Sequence, residues 1–326
     1  MSSQLRIPFR YFADPPRGRL WIRPRGFTLI ELLVVVGVIA LLISILLPTL
    51  GAARQQARSV QCLAHLHVFG QGMSIYVNEH HDGLPPGRLP KIDDCNSWAM
   101  IYGRVKYRPT FLSLMSGAVG LPPFSDPKRC KTETDMFDEA GDRQNYEPAN
   151  YVCPSVAHWT DERNGAYGYN YHFLGNSRLL DSNVHNSYKN WPVLLTQIRY
   201  PGRVVMIGDC MGTAAAYAPM DRWEYANNAR DAERYGNEGF NLDPPRIDPV
   251  NGEIAGYKHS PPVRSAADPR HRGKTNILWV DGHAKSHTLK ELGYVTNPDG
   301  SIGLDGDNAS WSTNGRDVGW TPSYRP

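Results

Sequence analysis

The strongest hydrophobic pattern lies near the start of the chain, where no charged residue interrupts the 22 positions from Leu32 to Ala53 and Leu, Ile and Val dominate. A helix needs about 20 apolar residues to cross the hydrocarbon core of a bilayer, so this run predicts a membrane span over 27–53. A secretory signal peptide, with an apolar region of about 7–15 residues, is shorter. A plain signal anchor fits the hydropathy equally well. Beyond Arg54 the pattern becomes periodic: Cys62, Leu63, Leu66, Phe69, Met73, Tyr76 and Val77 recur at spacings of three and four. That is the stripe of an amphipathic helix, a continuation over 54–82 that packs on a sheet. The stripe reads as core, with no ligand role. Pro48 predicts a kink, and the turn-rich His80-His81-Asp82-Gly83-Leu84-Pro85-Pro86 ends the helix.

The extracytoplasmic region, 83–326, is less regular. Between Leu84 and Asn150 the chain is rich in Pro, Gly and charge, which predicts loops and short helices around apolar runs such as Thr110–Met115. Three strand-like segments follow, at Ala166–Phe173, Arg203–Asp209 and Asn276–Val280, and no repeat of solenoid or propeller length interrupts them. Asp281-Gly282 separates the last from His283–Thr288, and such a dipeptide between strands predicts a hairpin with a type I′ turn. The expected fold class is α+β: a long N-terminal transmembrane and amphipathic helix packed on a loop-rich antiparallel β-sheet domain.

Composition changes this picture little. The 41% hydrophobic and 21% charged residues are ordinary for a globular protein, while 30 Gly and 26 Pro agree with many turns. Charge placement is more informative. The first 26 residues hold six arginines against Asp14, so removing them takes the formal charge from +3 to −2. A nucleic-acid partner thereby loses its electrostatic support. Arginines before the span instead keep the N-terminus cytoplasmic and send the C-terminal bulk across the cytoplasmic membrane. The five cysteines, Cys62, Cys95, Cys130, Cys153 and Cys210, are too widely spaced for a CxxC zinc motif. In an exported domain disulfides form readily, and Cys62 with Cys153 is the nominated pair, two unpaired buried thiols being the alternative.

The segment Arg25-Gly26-Phe27-Thr28-Leu29-Ile30-Glu31-Leu32-Leu33-Val34-Val35-Val36 resembles the type IV prepilin cleavage and methylation motif. The resemblance implies a leader over 1–26, cut after Gly26 by a prepilin peptidase, methylation of the new terminus at Phe27, and Glu31 as the family's acidic residue. A carboxylate at the edge of a span is costly and usually has a purpose, here a neighbouring subunit's α-amine; the alternative is that it lies among lipid headgroups. A second resemblance rests on His271, nine intervening residues, then Asp281-Gly282, preceded by Cys153-Pro154-Ser155, Tyr167-Gly168-Tyr169-Asn170 and Pro201–Asp209. It is similar to the H-X9-DG signature of a large group of prepilin-type proteins. Together the two imply a pseudopilin-like subunit of a type II secretion or type IV pilus-like assembly, whose partners are the peptidase, other pilin-like subunits and the lipid bilayer.

Other chemistry is sparse. His271, Asp281 and His283 suit a transition metal by residue type, but the favoured reading is that Asp281 shapes the turn, Gly282 supplies its positive φ and His271 hydrogen-bonds to backbone near the hairpin. Asp305, Asp307 and Asn308 offer hard oxygens for calcium, in a stretch that also reads as a polar turn, and no other cofactor is implied. There is no G-x-S-x-G, HExxH or Walker loop, so no enzyme is expected. A membrane-anchored module that binds carbohydrate or protein through Trp159, Trp191, Trp223, Trp311 and Trp320 is the alternative function, and it requires those rings to be exposed together.

Overall fold

A computed structural model of the chain describes residues 27–89, 98–101, 104–107, 109–119, 151–156, 166–177, 189–190, 193–222, 239–246 and 265–317. The chain divides into two compact units, Met1–Gly51 and Ala52–Pro326. Helix α1 is Leu29–Glu79 and continues through Pro48. By length and composition it is able to cross a membrane. Every residue from Phe27 to Arg58 is exposed, as an apolar helix must be if lipid or like helices are to cover it. Beyond Arg58 the predicted stripe turns inward, with Cys62, Leu66, Phe69, Met73 and Val77 buried. The helix stops because His81 and Asp82 both adopt left-handed backbone, at φ 52° and 64°, and the Asp82 N–H returns to the Val77 carbonyl at 3.0 Å.

Strands β1 (Trp98–Ile101) and β2 (Arg104–Tyr107) form an antiparallel hairpin, and the apolar run after Thr110 is helix α2 (Phe111–Met115). The central sheet contains β3 (Tyr167–Tyr169), β6 (Val205–Asp209), β7 (Thr275–Trp279) and β8 (Ala284–His287), all antiparallel in the order β3-β6-β7-β8. Between β3 and β6 come helix α3 (Tyr171–Leu174) and the short pair β4 (Asn176–Ser177) and β5 (Lys189–Asn190). The strand predicted over Ala166–Phe173 is thus cut short after Tyr169, where Asn170 leaves extended geometry and donates its side-chain amide to the Val205 and Trp311 carbonyls at 2.9 and 3.0 Å. Strands β9 (Tyr294–Thr296) and β10 (Ile302–Gly306) form a further antiparallel pair.

Strands β6 and β7 are buried on both faces. Along β7 the period-two alternation sends Leu278, and Val280 beyond it, into the cluster containing Leu66, Phe69 and Met73 of α1. Ile277 and Trp279 enter the opposite cluster with Leu292, Tyr294, Ile302 and Trp311. Phe69 is the main contact of the helix with aromatic neighbours, stacking on Tyr151 at 6.1 Å and meeting Tyr167 edge-on at 5.2 Å.

The Asp281-Gly282 hairpin is present but its turn is not type I′. Only Gly282 has positive φ, +90°, and its N–H donates to the Trp279 carbonyl at 2.9 Å while the Trp279 N–H donates to the His283 carbonyl at 2.9 Å. This is a three-residue loop, a type I turn over Val280-Asp281 closed by a left-handed glycine. Asp281 therefore avoids the left-handed backbone that a type I′ turn would require of it, and the glycine alone takes that conformation.

Candidate functional site

Four residues from four separate segments meet beneath the C-terminal part of α1. Cys62 stands on the buried face of the helix, Asp209 ends β6, Cys153 lies in the Tyr151–Val156 turn, and His271 occupies the turn before β7. Each is buried, and one ligand atom from each lies within 4.8 Å of all the others. The Cys62 thiol donates to Asp209 Oδ1 at 3.2 Å. His271 Nε2 lies 3.2 Å from Asp209 Oδ2 and 3.4 Å from Cys153 Sγ, while its Nδ1 lies 3.4 Å from Ser155 Oγ.

Local structure fixes each member. Asp209 is the fully buried last residue of a strand, and the Asn276 N–H of β7 donates to its Oδ2 at 2.8 Å. Asn276 also donates its amide to the Ser59 carbonyl at 3.1 Å, one turn before Cys62, which sets the height of the helix over the sheet. His271 is held by paired backbone bonds with Lys274, across a turn in which Arg272 and Gly273 have φ of 57° and 79°. The Tyr167 hydroxyl donates to Cys62 Sγ at 3.5 Å, and His65 Nδ1 lies 3.1 Å from that hydroxyl.

The electrostatics follow from crowding ionisable groups in an apolar core. Burial pushes the Cys62 thiol well above its usual range, and the hydrogen bond with Cys153 adds to this. Cys153, on the other side of that bond, is brought down to about 6 despite its own burial, with His271 and the Arg270 charge assisting. For Asp209, desolvation is outweighed by the His271 hydrogen bond and the Arg270 and His271 charges, so its carboxyl stays below the usual value. For His271, desolvation is outweighed in turn by Asp209 and Cys153, which raise the imidazole to about 9.

The structure redistributes the residues singled out in the sequence. Cys62 and Cys153 are brought together as nominated, but both are free thiols rather than a disulfide, because each sulfur is turned to a polar partner in the cluster. Of the trio His271, Asp281 and His283, His271 points into this cluster, whereas Asp281 and His283 pair with each other on the surface, Oδ1 to Nδ1 at 2.5 Å. At the calcium candidate, Asn308 is buried and both atoms of its amide are spent on the Arg246 backbone, at 2.9 and 2.7 Å. Asp307 accepts from the Ala309 N–H at 2.7 Å, and Asp305 is exposed on β10. That stretch is built as a turn that ties two loops together. Trp311 is fully buried, with its indole N–H on the Leu292 carbonyl at 2.8 Å, so it is unavailable to an exposed aromatic surface; Trp159, Trp191, Trp223 and Trp320 lie outside the described residues.

Sequence reasoning missed the cluster because its members are remote: 147 residues separate Cys62 from Asp209 and 118 separate Cys153 from His271. The available signal was weak. Cysteine on a helix core face is ordinary, whereas aspartate at the end of an apolar strand is a residue whose burial needs a reason.

At the N-terminus, Gly26 lies outside the described residues, and Phe27 is exposed. Thr28 and Glu31 form a reciprocal cap: the Thr28 N–H and hydroxyl donate to Glu31 Oε2 at 2.9 and 2.8 Å, and the Glu31 N–H donates to Thr28 Oγ1 at 3.3 Å. Residues 22–47 match the prokaryotic N-terminal methylation motif. No curated protein and no solved structure matches the chain. The exposed apolar start of α1 therefore carries a prepilin-type N-terminal methylation motif, which supports a type IV pilin-like protein.

Proposed function

We propose that the chain is a non-enzymatic, pseudopilin-like structural subunit of a type II secretion or type IV pilus-like assembly, held in the cytoplasmic membrane by α1 with its C-terminal domain outside. The observation that carries this reading is the methylation motif coinciding with an apolar helix whose residues from Phe27 to Arg58 are all exposed. A prepilin peptidase cuts between Gly26 and Phe27 and the new terminus is methylated. In the assembly Glu31 exchanges its cap on Thr28 for the charged α-amine of a neighbouring subunit's Phe27, a stronger partner inside the bilayer than a hydroxyl. The order of Cys153-Pro154-Ser155, His271 and Asp281-Gly282 supports placing it in the H-X9-DG group.

Intact mass and N-terminal sequencing of the membrane-extracted protein, from cells with and without prepilin peptidase, test the reading. A chain beginning at methylated Phe27 only when the peptidase is present is the expected result. An uncut chain in both cells reduces the segment to an ordinary anchor and overturns the proposal. Crosslinking between neighbouring α1 helices, lost in Glu31→Ala, is the expected sign of assembly.

A further inference from the structure

We propose that Cys62, Cys153, Asp209 and His271 form a closed, four-ligand zinc site that fastens α1 to the sheet of the extracytoplasmic domain. Two sulfurs, one imidazole nitrogen and one carboxylate oxygen are a tetrahedral zinc donor set, too soft for magnesium or calcium. Zinc bonds of about 2.0–2.3 Å place tetrahedral ligand atoms about 3.3–3.8 Å apart. Cys62 Sγ lies 3.2 Å from Asp209 Oδ1, and His271 Nε2 lies 3.2 Å from Asp209 Oδ2 and 3.4 Å from Cys153 Sγ, all near that range; with one donor atom taken from each residue the widest separation is 4.8 Å. Side-chain adjustments that together draw the widest pair in by about 1 Å close the shell.

The surroundings are those of a structural site. All four ligands are buried, leaving no open position for a substrate. His271 presents Nε2 to the centre and turns Nδ1 to Ser155 Oγ, the outer partner that fixes the tautomer of a metal-bound imidazole. Asp209 ligates through one oxygen while its carboxylate remains oriented by the Asn276 N–H. Zinc displaces the thiol protons to solvent, so a dication faces two thiolates and one carboxylate, leaving a single negative charge near the Arg270 guanidinium, which also pairs with Asp268 at 2.9 Å. The ligands come from α1, from the turn at Cys153, from β6 and from the turn before β7, so binding couples the helix to three parts of the domain at once.

This inference is independent of leader processing. The full chain is extracted in mild detergent without chelators from cells grown with added zinc, and its metal content is measured by mass spectrometry of the elements. About one zinc per chain is expected in the wild type and in Cys210→Ser, a buried cysteine outside the cluster, and less than a tenth of that in Cys153→Ser and His271→Gln. Because those variants risk misfolding, the wild type is also stripped and reloaded with Co2+ alone, where tetrahedral d–d bands and thiolate-to-cobalt charge transfer are expected. Folded wild type without stoichiometric zinc, another metal in its place, a Cys62–Cys153 linked peptide in the mass map, or a cobalt spectrum without the thiolate band overturns the site.

Discussion

Truncating Phe69 tests whether the aromatic contact with Tyr151 and Tyr167 holds the helix to the sheet. The ring is 1% exposed, so Phe69→Ala leaves a cavity walled by two tyrosines that are themselves buried and cannot follow it. Phe→Ala in a core costs about 3–5 kcal/mol, and the loss of two aromatic pairs, about 0.5–1.5 kcal/mol each, places this site at the upper end. Taking about 2–4 °C per kcal/mol for a domain near this size and a cost of about 5 kcal/mol, the expected fall in Tm is about 10–20 °C. The measurement is thermal unfolding of the full chain in detergent, followed by near-ultraviolet circular dichroism, which reports the packed aromatic rings. Val60→Ala on the same helix is the control: Val60 is 55% exposed, and its truncation should change stability by no more than about 0.5 kcal/mol. A Phe69→Ala shift no larger than that of the control would refute the packing of α1 described above.

Asn276→Asp replaces the amide that donates to the Ser59 carbonyl with a buried carboxylate that repels it; a loss of about 3 kcal/mol is expected in urea unfolding, against a smaller loss for Asn276→Ala. Gly293→Ala is expected to cost more than about 2 kcal/mol by the same assay, since the residue has φ +87° and an added Cβ would sit on the Asp307 carbonyl oxygen. For the metal-free chain, Asp209 lies below its ordinary 3.8, so its contribution is present above that pH and is lost as pH falls through the folded value; Asp209→Asn should flatten this acid limb. His271, raised from 6.5 to about 9, contributes stability that is complete below 6.5 and lost as pH rises through 9, whereas Cys153, lowered from 9.0 to about 6, acts in the opposite sense over the same window. The two offset each other, so chelated wild type should be nearly level between these values while chelated Cys153→Ser loses stability as pH rises.

The sequence by itself determined the features that depend on local pattern. Consecutive apolar residues from Leu32 to Ala53 can satisfy their backbone polar groups in lipid only as a helix, and the three-four spacing from Cys62 to Val77 can bury one face only as its continuation. Alternation around Asp281-Gly282 was enough for the β7–β8 hairpin, and the prepilin-type segment is legible because peptidase recognition acts on a short stretch of contiguous chain. Tertiary structure decided what contiguous residues do not specify. The turn at Asp281 took another type, with the Gly282 N–H bonded to the Trp279 carbonyl and left-handed backbone at the glycine alone, the strand at Ala166–Phe173 ended early because Asn170 turns its amide to Val205 and Trp311, and Asn308 gave its amide to Arg246. The cluster of Cys62, Cys153, Asp209 and His271 is the clearest case. Each member resembles an ordinary core or turn residue in its own segment, and only the packing of α1 over β6 and β7 brings their donor atoms within one ion's reach, since side-chain chemistry at a site depends on distance in space and not along the chain.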